Sequence, residues 1–340
     1  MTRFTVPDYD DLPRVEGMPH GCAWGVFDRD GKKDTFGCLN FLDPATVREA
    51  YKELTEGISV SLNWPLDAIV EPGFSRKALV HRVIRGEDLL QGAHGFDDEL
   101  EFNTQASSQW DSLIHYKHQA TACGYNGDKS TVDELQRPSR QQRNSNPPTL
   151  DQWHSRGGLV GRGVLLDYLA YSEAKGRKYS CFEEQRFSVE DLEEVAKYQG
   201  TEFKHGDILI IRTGVTAELD AADNDSQTAL LRSGVYMGID GSEESARWFW
   251  NKRFAAVASD TIALEALPPS KADGTVGDLT DLPLHQYLLS FFGMHIGELW
   301  DLEALSEKCK ALGRYSFVLT SVPLNVSGSI GSPPNALALF

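Results

Sequence analysis

Short apolar runs alternate with amphipathic stretches along most of the chain. The runs at 164–167, 207–212, 254–259 and 317–322 are nearly unbroken apolar segments, the pattern of strands buried on both faces. Segments 58–62 and 78–84 are rich in β-branched residues and predict two further strands. Between them lie helix signals. Asp43-Pro44 opens a run through Val47, Ala50, Tyr51 and Leu54, with Gly57 beyond its end. Ser188 caps 189–198, with Asp191 at the capping-box position and Gly200 as the stop. Ser242 starts 243–252, Asp301 starts 302–312 before Gly313, and Pro283 begins a helix striped by Leu284, Leu288, Leu289 and Phe292. Strands alternating with helices predict an α/β class, although periodicity gives no strand order.

No internal repeat or clean linker interrupts this pattern, which predicts one domain over 1–340. One polar surface excursion, at about 128–151, carries Arg137-Pro138-Ser139-Arg140 and later Pro147-Pro148 and has almost no apolar residues.

Composition narrows the class. Of 340 residues 41% are hydrophobic and 24% charged, as in ordinary globular proteins, and a chain of this length buries about 75% of its unfolded surface without a staple. The 33 basic and 50 acidic residues give a formal charge of −17, which repels phosphate backbones and anionic membranes. Nucleic acid and membrane are therefore excluded as expected partners, and a small molecule is expected instead. Five scattered cysteines, without a C-x-x-C pair, fit a reducing compartment rather than a disulfide framework. With no apolar leader and no run near ~18 apolar residues, the expected location is cytoplasmic.

The familiar catalytic signatures G-x-S-x-G, P-loop and H-E-x-x-H are missing. Gly161-Arg162-Gly163, read as preceding a strand, is too short for a dinucleotide fingerprint. Two groups of metal-type ligands remain. Asp111 and His115 stand four apart, so a helical turn would put a carboxylate and an imidazole on one face. A plain Asp–His hydrogen bond beside a buried Trp110 is the alternative, and His118 competes as a ligand. His285 shares a helical face with Leu288 and Leu289 and should point inward, as a ligand or as a hydrogen-bonded core residue. Glu298 follows the apolar stretch 291–297 and precedes Leu299 and Trp300, where a carboxylate needs a cation or a donor, unless it caps the helix near Asp301.

Taken in order, several stretches carry a family resemblance. They are Trp24-Gly25, Gly37-Cys38-Leu39-Asn40, the segment from Ser107 to His115, and Val160-Gly161-Arg162-Gly163-Val164-Leu165-Leu166-Asp167. Pro283-Leu284-His285, Gly297-Glu298-Leu299 and Gly331-Ser332-Pro333-Pro334-Asn335 continue the series. Together they resemble the metal-dependent cyclase superfamily, which contains bacterial kynurenine formamidases and isatin hydrolases. The formamidase pattern, H-x-G-x-H-x-D-x-x-x-H followed by a later His and Glu, holds up to two metal ions. On this chain its Asp falls on Asp111, its third His on His115, and its late pair on His285 and Glu298. Its first two histidines fall on Gln105 and Gln109, whose neutral amides are weak ligands. The resemblance therefore implies one divalent ion, Mn2+ or Zn2+, held by Asp111, His115, His285 and Glu298.

The implied fold is a compact α/β domain with mixed β-structure and flanking helices, assembled as a homodimer or homotetramer. The implied activity is metal-dependent hydrolysis of a small amide, cyclic amide or lactone. Asp111, His285 and Glu298 would be the principal ligands, with His115 completing the set or carrying a proton. Gln109 would donate to a developing oxyanion. Gln105, Gln109, Trp110, Trp24, Trp64 and Tyr116 are the candidate substrate-binding residues, the aromatics walling the pocket. Two other classes fit the same residues: a non-hydrolytic cyclase or dehydratase, and a metal-free binding protein on this fold.

Overall fold

A computed structural model describes residues 4–89, 91–136, 146–271 and 273–340. Its strands are β1 (Ser59–Ser61), β2 (Val80–Arg85), β3 (Phe96–Glu101), β4 (Gln109–Asp111), β5 (Leu159–Asp167), β6 (Arg186–Phe187) and β7 (Ile208–Arg212). They continue with β8 (Gly238–Ile239), β9 (Ala256–Ser259), β10 (His295–Glu298), β11 (Ser316–Ser321), β12 (Gly331–Ser332) and β13 (Ala336–Leu339). Nine of these form one mixed sheet in the order β1-β13-β11-β5-β7-β9-β10-β4-β12. The centre, β5-β7-β9-β10, is parallel, and antiparallel strands flank it on both sides. Every residue of β7, β9 and β10 is buried, which explains their unbroken apolar spelling.

The helices between them begin and end where side-chain chemistry dictates. Ser188 and Asp191 form a reciprocal capping box at the start of Val189–Gln199, and Gly200 ends it in the left-handed conformation at φ 66°. Asp43 caps Pro44–Ala50, accepting from the backbone N–H of Ala45 and Thr46 at 2.8 Å. Pro283 opens a single α-turn, Pro283–His285, that continues as a π-helix, Gln286–Phe292. The π-helix departs from the regular stripe expected there. Among the described residues, no helix is long and apolar enough to cross a membrane.

Two expectations about the chain are corrected. Gly161-Arg162-Gly163 lies inside β5, which begins at Leu159. A Cβ on Gly161 would press on Leu42 and Ile208, and one on Gly163 would overlap the Phe317 ring, so neighbouring side chains occupy the space the glycines leave. Asp111 and His115 share no helix. Asp111 ends β4, and a turn with the His115 N–H bonded to the Ser112 carbonyl at 3.0 Å folds the imidazole back.

Within the polar stretch at 128–151, Thr131 and Glu134 cap a short helix, Val132–Leu135. Pro147 to Asp151 is buried, with the Leu150 N–H bonded to the Ser329 carbonyl at 3.1 Å. Residues 137–145, with Arg137 and Pro138, lie outside the described residues. β2 and β3 pair only with each other and form an exposed arm. The arm rises from a base where the Asn103 N–H meets the Lys77 carbonyl at 3.1 Å.

Candidate metal centre

The sheet builds the site from alternation. Gln109 and Asp111 share one face of β4, and Trp110 takes the other. There the Trp110 indole donates to Ser321 Oγ at 2.9 Å and packs between Trp153 and Trp300. β10 runs antiparallel to β4 and sets Glu298 opposite Gln109. The third contributor, His285, arrives on the turn opened by Pro283. Buried Glu265 holds that turn: its carboxylate accepts from the backbone N–H of Leu284 at 3.2 Å and of His285 at 2.8 Å. The same carboxylate lies 3.0 Å from His285 Nδ1, which fixes the proton on Nδ1 and turns the Nε2 lone pair toward Glu298.

Ligand atoms of Asp111, His285 and Glu298 all lie within 4.8 Å of one another, and all three residues are buried. One oxygen of each carboxylate is satisfied by a glutamine. Gln105 Nε2 donates to Asp111 Oδ1 at 2.5 Å, and Gln109 Nε2 donates to Glu298 Oε2 at 2.6 Å. The other oxygens, Asp111 Oδ2 and Glu298 Oε1, are buried without a hydrogen-bond partner, as is Gln109 Oε1. Glu298 Oε1 stands 3.3 Å from His285 Nε2. That separation suits two ligands of one ion, since donors ~2.1 Å from a shared cation sit about 3.0–3.4 Å apart. Two bare carboxylate oxygens beside an imidazole lone pair, all out of water, fit a divalent cation.

The electrostatics agree with a site short of positive charge. Burial and the Glu298 carboxylate push the Asp111 carboxyl well above the usual range. Burial works against a charge on His285, yet the carboxylates of Glu265 and Glu298 beside it lift it to about 10, so Nε2 favours a proton or a cation. The His115 imidazole is pushed down to about 3 by burial, then by the charges of His285 and Arg76.

The group opens onto a cavity of about 180 Å³. Phe74, Tyr116, Ile262, Ala263, Leu267, Leu279 and Leu282 form its apolar wall, and Arg76, His115, His285 and Glu298 its polar end. Tyr116 meets the His285 ring edge-on at 5.4 Å and donates its hydroxyl to the Leu279 carbonyl at 2.6 Å.

The expected site residues divide. Asp111, His285 and Glu298 converge, whereas His115 stands beside them. Its Nε2 is 4.0 Å from Asp111 Oδ1, and the Gln105 amide nitrogen lies 3.2 Å from its Nδ1. Three of the aromatics expected to wall the pocket do not line it. Strand alternation turns Trp110 away. Trp64 is buried with its indole on Asp220 at 3.0 Å, and the Trp24 indole donates to the Ser290 carbonyl at 2.6 Å. Gln105 and Gln109 do not line the cavity either, because their amide nitrogens hold the two carboxylates. The Gln109 amide nitrogen, expected to serve an oxyanion, here donates to Glu298 Oε2. His118 faces Phe291 and bonds Thr121 Oγ1 at 2.9 Å, away from the group.

Sequence reasoning missed Glu265 and Arg76. Glu265 lies in the apolar run Ile262-Ala263-Leu264-Glu265-Ala266-Leu267, the same kind of signal that marks Glu298. Arg76 sits in a mixed polar stretch with no signal of its own.

Residues 43–266 match the protein family described as "Putative cyclase". A crystal structure described as a novel cyclase superposes with a TM-score of 0.76 at 29% identity, over 94% of this chain and 99% of that one. Isatin hydrolase A from Ralstonia solanacearum aligns with a TM-score of 0.55 at 14% identity, over 83% of this chain and 91% of that one. An isatin hydrolase bound to the product analogue thioisatinate gives 0.52 at 15% identity, over 87% and 95%. At those identities the two isatin hydrolases share the fold with this chain. No curated protein matches it.

Proposed function

This chain belongs to the cyclase family, and from that premise we propose that it is a metal-dependent hydrolase of a small amide, cyclic amide or lactone. The observation that carries the reading is the pair of bare oxygens, Asp111 Oδ2 and Glu298 Oε1, buried beside His285 Nε2 at the end of an apolar cavity. Asp111, His285 and Glu298 would hold one divalent ion, and two carboxylates with one imidazole suit manganese or zinc. When bound, the ion supplies a Lewis acid for a carbonyl oxygen and lowers the pKa of water toward neutrality.

The remaining work falls to the chain's own residues. Glu265 orients His285, and the amides of Gln105 and Gln109 orient the two carboxylates. The apolar wall seats the body of the substrate and limits water. His115 reaches the cavity beside Asp111, where its neutral imidazole would hydrogen-bond the attacking water and relay a proton toward the departing nitrogen or oxygen. In that reaction the water oxygen joins the carbonyl carbon and the C–N or C–O bond breaks.

The test is metal analysis of protein purified without chelator, followed by an assay of N-formyl arylamines, cyclic amides and lactones with product masses recorded. One ion per chain and a product heavier by one water are expected. A product that has gained no water would instead make the chain a cyclase or dehydratase, and a metal-free, inactive protein would make it a binding protein.

A further inference from the structure

We infer that Arg76 sets the specificity of this site and that the substrate carries an anionic group, a carboxylate foremost, beside its reacting carbonyl. The inference rests on the reading of Asp111, His285 and Glu298 as a metal centre.

Arg76 lies at the polar end of the cavity with His115, His285 and Glu298. Its Nη1 donates to the Gln105 carbonyl at 2.8 Å, and its guanidinium lies 5.1 Å from the centre of the Phe74 ring. Gln105 in turn holds Asp111, so two contacts tie Arg76 to the centre. Among the described residues its Nε and Nη2 donors have no hydrogen-bond partner and no carboxylate lies within 4.0 Å of its guanidinium.

The two arginines buried among the described residues are neutralised twice over. Arg162 meets Glu53 at 2.7 Å and Asp207 at 2.8 Å, while Arg212 meets Asp167 at 2.8 Å and Glu303 at 2.7 Å. Arg156 and Arg186, half-buried like Arg76, also meet no carboxylate among the described residues and donate to backbone carbonyls. Arg76 differs from both in lining the cavity beside His285 and Glu298, where a ligand would stand. A guanidinium on an apolar wall, partly shielded from water, favours a planar anion that takes both arms of its fork. The chain's own charge sharpens the argument. Asp111, Glu298 and Glu265 crowd the centre of a protein of formal charge −17, so an anionic substrate needs a fixed cation to enter.

Calorimetric titration of the manganese-loaded enzyme tests this, with benzohydroxamate and its ortho-, meta- and para-carboxylated forms as probes. The hydroxamate head chelates a cation without Arg76. At least one carboxylated probe is expected to bind tenfold or more tighter than benzohydroxamate. Arg76→Met should erase that advantage and leave benzohydroxamate binding intact, while Arg76→Lys keeps part of it. Equal binding of all four probes, or an advantage that survives Arg76→Met, overturns the inference. Loss of benzohydroxamate binding in both variants would also overturn it, by making Arg76 a support for Gln105. Failure of every probe on the parent protein, with no metal retained, overturns the metal centre itself, and the inference falls with it.

Discussion

The side-chain amide of Gln109 donates to Glu298 Oε2 over 2.6 Å, and the two residues are direct partners in the β4–β10 ladder. The ladder brings the amide to the carboxylate, and the amide turns the second oxygen toward His285. Gln109→Leu removes the donor at similar size. Metal affinity is expected to fall ~10–100-fold, the usual cost of losing an outer partner of a ligand. Competition with a graded chelator measures it; unchanged affinity would mean Glu298 keeps its orientation unaided.

His285 and Glu298 should fail together. His285→Ala and Glu298→Gln are expected to lose both bound metal and turnover while the circular dichroism spectrum stays native. A variant that melts earlier yet keeps its full metal content would assign the residue a structural role only.

Glu265 acts at one remove, through the His285 ring. Glu265→Gln leaves an amide that can face Nδ1 with either end, so the ring loses its fixed tautomer. Metal affinity should drop ~10–100-fold, and 15N shifts of the His285 ring should report a mixed tautomer. A single unchanged tautomer would show that the helix turn alone fixes the ring.

The double change Gln105→His and Gln109→His places imidazoles where the formamidase pattern has them. Metal content is expected to rise above that of the parent, and turnover to fall, because the amides that hold Asp111 and Glu298 are gone. Unchanged metal content in a folded double variant would mean these positions do not correspond.

Gly37 and Gly293 meet backbone to backbone. Both have positive φ, at 55° and 69°, the Cys38 N–H bonds the Gly293 carbonyl at 2.8 Å, and a Cβ on Gly37 would overlap that carbonyl. Gly37→Ala is therefore expected to cost more than ~1 kcal/mol, read as a lower urea midpoint. An unchanged midpoint would show that the two segments can separate freely.

The strands were legible where burial on both faces spelled them in unbroken apolar letters, as in β7 and β9. Helix ends were legible where a cap was written out, as at Ser188 and Gly200. Asp111 and His115 misled because spacing by four fits a strand followed by a turn as well as a helix. β4 is three residues long, too short to display a period. The same shortness hid the direction of Trp110, which looked like a pocket wall and belongs to the opposite face. Gln105 and Gln109 stood out against a family pattern, but their partners are oxygens set by strand pairing, which no local reading reaches. Arg76 was illegible because its significance lies in its place in the cavity beside His285 and Glu298, which only the fold sets.

The hydrogen bond from Gln109 to Glu298 joins positions 189 apart in the chain. At about 5–20 residues per second, Gln109 and Asp111 leave the ribosome on the order of 10–40 s before Glu298 exists. Through that interval Asp111 has neither His285 nor Glu298 beside it, and it gains them only once β10 has docked between β9 and β4. Such long-range pairing comes late, after the loops between have closed. If Asp111, His285 and Glu298 hold an ion, it would enter a finished protein and not template its folding, so cells starved of the metal should accumulate a folded, inactive chain that a later supply of the cation revives.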